Sequence, residues 1–196
     1  MTSTQTDSPN VSLAMQAWLV LACGIAYFYA FQLNSYWFNH WLEFSPGANW
    51  IFIPSGLRLL FVLVLATTGA AGIAISSVAI NYSFGDPNAH VFNVVTGLIS
   101  GAAPCLARYL CITSLHLDTQ LSNLTSRTFL KVSVLFALVN ALMHQTWYHW
   151  IGHTHTFVSS TAVMALGDWL GTVLVLATAS LFVRLYKLLS VSADKP

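Results

Sequence analysis

A single acidic side chain stands in the middle of an apolar stretch near the end of this chain. Between Val158 and Val183 the only ionisable residue is Asp168. A stretch of that length suffices for an α-helix to cross the hydrocarbon core, which takes about 20 residues. A carboxylate at its centre is costly in lipid, so it faces protein or a water-filled cavity and has a partner. Other helices must therefore pack around position 168. The flanking Gly167 and Gly171, at i, i+4 spacing, open that surface to close approach.

The rest of the chain supplies those helices. Of 196 residues, 56% are apolar and only 7% charged, with a mean hydropathy of +0.68. A soluble domain carries roughly a quarter charged residues. The apolar runs are continuous rather than alternating, which argues against a transmembrane barrel. The expected fold is all-α, a polytopic transmembrane bundle of about six helices. Their expected ranges are 12–37, 50–66, 71–82, 91–113, 129–147 and 158–185. Residues 1–11 are read as a disordered cytoplasmic N-terminus, 12–187 as one transmembrane domain and 188–196 as a cytoplasmic tail. Within the second helix, Pro54-Ser55-Gly56 combines a missing amide donor with a poor helix former. A broken or re-entrant segment is expected there, because irregular backbone at membrane depth survives only against protein or a wet cavity. A turn at Thr67-Thr68-Gly69-Ala70 separates the second helix from a short third one.

Charge and aromatics give the orientation. Arg108, Arg127 and Lys131 flank one connection, and Arg184, Lys187 and Lys195 follow the last span. With six spans these groups share a face, and the positive-inside rule makes it cytoplasmic, with both termini on it. Trp37, Trp41, Trp50, Trp147 and Trp150 then mark the opposite interface. The expected location is the cytoplasmic (inner) membrane of a bacterium. No nucleic acid partner is expected, since no basic patch or arm exists.

The same topology pairs two charges. Arg58 lies about 12 Å inward from Trp50, and Asp168 about 15 Å inward from Val158, at the α-helical rise. Opposite charges at nearly equal depth make Arg58 the expected partner of Asp168. The pair serves either as an ion pair pinning two helices or as an anion site and ligand-coupled switch.

Two motifs resemble MASE1, a bacterial membrane-associated sensor domain. One is Trp50-Ile51-Phe52-Ile53-Pro54-Ser55-Gly56-Leu57, similar to the family's Trp-Pro-Pro-x-Gly-Leu sequence. The other is Gly167-Asp168-Trp169-Leu170-Gly171, which fits its Gly-Asp-x-x-Gly sequence in the last helix. Here the tryptophan sits further upstream and one proline replaces two. The resemblance implies a sensory and signalling role. Family members are usually fused to a histidine kinase or diguanylate cyclase. This chain is read instead as a free-standing sensor domain acting on a separate kinase, cyclase or other membrane subunit. The expected ligand-binding or switch site comprises Trp50, Pro54, Ser55, Gly56, Arg58, Asp168 and Trp169. The signal would leave through the helix tail at Arg184 to Leu189.

Other constellations carry weaker chemistry. His144, His149, His153 and His155 are candidate ligands for a transition metal or haem, since imidazole suits such ions. Interfacial packing and pH sensing are their alternative readings, and no cofactor is otherwise expected. Gln16, Asn81, Asn93, Asn140 and Gln145 suit interhelical hydrogen bonds, with a substrate path as the alternative. The small-residue pairs Gly97/Gly101 and Gly167/Gly171 are helix-packing sites, within the chain or in a homo-oligomer. Cys23, Cys105 and Cys111 form no disulfide framework. No nucleophile, zinc or phosphate-loop motif is present, so no enzymatic activity is expected. Two alternatives to the sensor are a small transporter or its substrate-binding membrane subunit, and a structural subunit of a membrane complex.

Overall fold

A computed structural model describes residues 12–114, 117–118 and 125–193. The expectations for residues 1–11 and for the last three residues lie outside the described residues. Five helices account for nearly all of the described chain: α1 (Leu13–Leu42), α2 (Pro54–Phe84), α3 (His90–Ser114), α4 (Ser126–Trp150) and α5 (Phe157–Ala193). Each is long and apolar enough to cross a membrane. A small antiparallel hairpin, β1 (Glu43–Ser45) and β2 (Ala48–Asn49), turns at Gly47, whose φ of 77° suits glycine.

The expected count of about six helices is not confirmed: five helical elements are present among the described residues, and the expected second and third helices are the two limbs of α2. The break foreseen between the second and third helices survives as one residue inside α2. Ala66 has φ 49° and ψ −123°, outside helical space. The two limbs of α2 fold back on each other there. Gly69 packs directly against the Phe61 carbonyl, although eight residues would separate them by about 12 Å in a straight helix. The Phe31 ring touches both Phe52, just before α2, and Phe84, at its end, with centroids 6.1 and 6.5 Å away. Both ends of α2 thus lie on the same face of the bundle as the β-hairpin.

The break expected at Pro54-Ser55-Gly56 is also corrected. That triplet is helical and opens α2, with Pro54 in the first turn, where a missing amide costs nothing. The irregular backbone comes just before it. Residues 50–53 run without helix or strand along α5. The Phe52 amide donates to the Gly167 carbonyl (3.1 Å), and the Ile53 amide donates to Asn34 Oδ1 (3.0 Å). Side chains and a neighbouring helix thereby satisfy backbone donors that lipid could not.

The helices pack through small residues and apolar clusters. Gly97 meets Val78 and Gly101 meets Ala70 and Ala74, joining α3 to the second limb of α2. Gly24 and Gly72 abut where α1 crosses the same limb. Leu59, Leu63, Ala107, Val132 and Phe136 form a core among α2, α3 and α4. Chain reversals at each connection place the β-hairpin, the α2–α3 loop and the α4–α5 loop together, called here the hairpin face.

Candidate functional site

Around Asp168 the last helix meets non-helical backbone as well as α2 and α4. Gly167 lies against the Asn49 carbonyl and Gly171 against the Phe52 carbonyl, so the extended segment 49–52 fits where side chains would block it. Ser55 Oγ donates to the Asp168 carbonyl oxygen at 2.6 Å. The start of α2 is thereby fastened to α5, and Arg58 follows one turn later.

Arg58 and Asp168 are both buried, at 6% and 1% exposure, yet no hydrogen bond joins them directly. Asn140 of α4 stands between. Its Nδ2 donates to Asp168 Oδ2 (2.6 Å), while its Oδ1 accepts from Arg58 Nη1 (3.4 Å). Arg58 Nε and Nη2 both donate to the Tyr27 hydroxyl, the first at 2.7 Å. The guanidinium carbon also sits 5.2 Å from the ring centroids of Tyr27 and Phe52, within cation–π range. The Asn140 carbonyl accepts from His144 Nδ1 (3.0 Å), and His144 Nε2 lies 3.2 Å from Ser100 Oγ.

All of these residues except Asn140, which lies behind them, line a cavity of about 690 Å³. Arg58, Asp168, His144, Ser100, Thr96 and Ser77 line its depth. Its mouth is at the hairpin face, between Glu43, Pro46 and Gly47 of the hairpin, Gly85 and Asp86 after α2, and Gly152 and His153 after α4. The volume falls within the roughly 300–1,000 Å³ of small-molecule sites.

Of the sequence-derived site, Arg58 and Asp168 line this cavity, whereas Trp50, Pro54, Ser55, Gly56 and Trp169 do not. Pro54, Ser55 and Gly56 are buried in the packing of α2, and Gly56 rests on Val175 and Thr172. Trp50 is partly exposed on the hairpin side. The four histidines are not assembled: among the described residues, no group of three or more His, Cys, Asp or Glu could hold a metal. His144 is in the floor, His153 packs tilted against Phe92 and edge-on to Tyr148 at the mouth, His149 packs on Phe157, and His155 is exposed. Gly97, Gly101, Gly167 and Gly171 are all covered by this chain's own residues.

Sequence reasoning missed the central role of Asn140. A signal was present: Asn140 lies ten residues inward from Trp150, as Asp168 lies ten inward from Val158. No protein-family model, curated protein or solved structure matches the chain. The functional reading rests on the site's own geometry.

Proposed function

We propose that this chain is a multi-pass sensory protein of the bacterial inner membrane, MASE1-like in character. It binds a small ligand from the outer side and relays occupancy to a separate protein. The carrying observation is the cavity that opens at the hairpin face and ends on Arg58 and Asp168, held apart by Asn140. Buried ionisable residues in a membrane protein mark functional sites by default. The length of α5 supports a relay to such a partner. Asp168 belongs to α5, which continues 25 residues beyond it to Ala193, or about 37 Å at the helical rise. Ligand contact with Arg58 or Asp168 changes the packing of α2 on α5 and moves the far end of that helix. The basic groups near that end and near the α3–α4 connection favour a cytoplasmic assignment for the face opposite the hairpin.

The test uses this chain in nanodiscs, challenged with pools of small metabolites. A binding pool at 100 times its Kd should stabilise the fold by about 2.7 kcal/mol, raising the melting temperature. Pro46 lines the mouth of the cavity and is exposed, so Pro46→Cys can be reached by a reagent from solution. Blocking that cysteine with a bulky maleimide should abolish the response. A response that persists after blocking places the ligand elsewhere and overturns the reading.

One observation favours a transporter instead: non-helical backbone at residues 50–53 beside α5, with α2 reversing at Ala66. Discontinuous helices at intramembrane sites are a transporter feature. Net flux of the bound solute into proteoliposomes would select that reading, and binding without flux the sensor.

A further inference from the structure

The cavity floor holds two unfilled hydrogen-bonding demands of opposite sign, and together they define a ligand. Asp168 Oδ2 accepts from Asn140, but Oδ1 is buried and has no partner. Leaving a carboxylate oxygen bare inside protein is costly, more so than for a neutral group. It calls for a donor, and a charged one most of all. Arg58 has five N–H groups. Two go to Tyr27 and one to Asn140, which leaves two that call for an acceptor.

The net charge of the lining decides among ligand classes. One guanidinium faces the carboxylates of Glu43, Asp86 and Asp168. A simple anion reaching Arg58 passes two acidic residues at the mouth and meets a third at the floor. A simple cation satisfies Asp168 but meets Arg58 beside it. A zwitterion satisfies both. Between mouth and floor, Phe31, Phe52, Ile80, Phe84, Phe92 and Met164 offer an apolar wall.

We infer that the cavity binds a small zwitterion of the α-amino acid type, its ammonium on Asp168 Oδ1, its carboxylate on Arg58 and its hydrocarbon side chain along the aromatic wall. This inference rests on the proposed binding role of the cavity and adds the ligand's chemical class.

The experiment measures binding of each of the twenty amino acids to the intact protein in nanodiscs. The best binder is then compared with its deaminated acid and its decarboxylated amine. Charged hydrogen bonds are worth about 1.5–3 kcal/mol each, so each analogue should bind about tenfold weaker or worse. Asp168→Asn should remove the preference for the amine while keeping that for the carboxylate. The analogue comparison uses the unmutated protein, so it stands even where Asp168→Asn fails to fold. A deaminated acid binding as well as the parent overturns the inference, as does the absence of binding by all twenty. Parallel trials with sugars, phosphates and nucleosides separate the two failures. Binding of one of these that cysteine blocking abolishes would sink the zwitterion and keep the cavity's role; no binding by any compound would sink both.

Discussion

Asn140 donates to Asp168 at 2.6 Å and accepts from Arg58 at 3.4 Å, so a neutral amide rather than direct contact connects the two buried charges. Direct pairing would satisfy each charge with the other and leave little for a ligand. The amide holds them in place while one carboxylate oxygen and two guanidinium hydrogens are left without a protein partner. Its own backbone carbonyl also fixes the His144 ring. One residue of α4 thereby sets three polar side chains.

Replacing that amide with an apolar side chain of similar size tests its weight. Asn140→Leu leaves Asp168 with no donor on either oxygen and weakens the hold on Arg58. Stranding a buried charge costs about 3–5 kcal/mol, and Tyr27 retains part of the guanidinium's bonding, so about 3 kcal/mol is expected. Reversible unfolding in mixed micelles should show this loss, against less than 1 kcal/mol for Leu138→Ala on the exposed side of α4.

The fold-back of α2 predicts sidedness. With Cys23, Cys105 and Cys111 replaced by Ala, single cysteines at Pro46, Asn88 and Gly152 should all react with an impermeant maleimide from the same side of the membrane. A cysteine at Thr125 should react only from the other. A straight α2 would put positions 46 and 88 on opposite sides, so labelling of those two from different sides would refute the reversal at Ala66.

How much of this was legible in the sequence can be read from single residues. The helical membrane class and the shared depth of Arg58 and Asp168 followed from apolar runs and a rise of 1.5 Å per residue. The cavity lining did not, because it depends on rotation about α2. Gly56 and Arg58 are two residues apart, about 200° around a helix, so a pocket formed by one turns away from the other. Gly56 faces α5, and Arg58 faces Tyr27 and Asn140. Glu43 and Asp86 meet at one mouth only because α2 reverses. The reversal itself was expected at Thr67 to Ala70 and occurs at Ala66, an alanine, which carries no local mark of a left-handed backbone. The helix-packing glycines 167 and 171 were readable as a close-approach surface, but the visitor is extended backbone, which no spacing rule distinguishes from a helix.

Ala66 holds strain that glycine would relieve. A non-glycine residue at φ 49° costs about 1–2 kcal/mol relative to glycine. Glycine gives back roughly 0.5–1 kcal/mol through the greater freedom of the unfolded chain. Ala66→Gly should therefore be neutral to stabilising by about 1 kcal/mol, whereas Ala66→Val should destabilise by more than that. Melting of the two variants in the same detergent checks the order, and a stability loss in Ala66→Gly would contradict the backbone assigned here.

The two glycines beside Asp168 should be the least replaceable in the chain, and a third glycine shows why steric space decides it. Gly152 has a positive φ of 72° but nothing within 4 Å of a would-be Cβ, so Gly152→Ala pays only the conformational cost, about 1 kcal/mol. Gly171 is helical and pays no such cost. A Cβ there, however, runs into the Phe52 carbonyl. That carbonyl cannot retreat, because the Phe52 amide is bonded to Gly167 and the Ile53 amide to Asn34. Overpacking against fixed backbone exceeds the usual 1–3 kcal/mol of a crowded core. Gly171→Ala should separate the segment 49–53 from α5, displace Ser55 from the Asp168 carbonyl and abolish any ligand response, with a stability loss at least twice that of Gly152→Ala. Parallel melting and binding measurements on the two variants decide this. Equal losses would mean that α5 and the extended segment are not in contact.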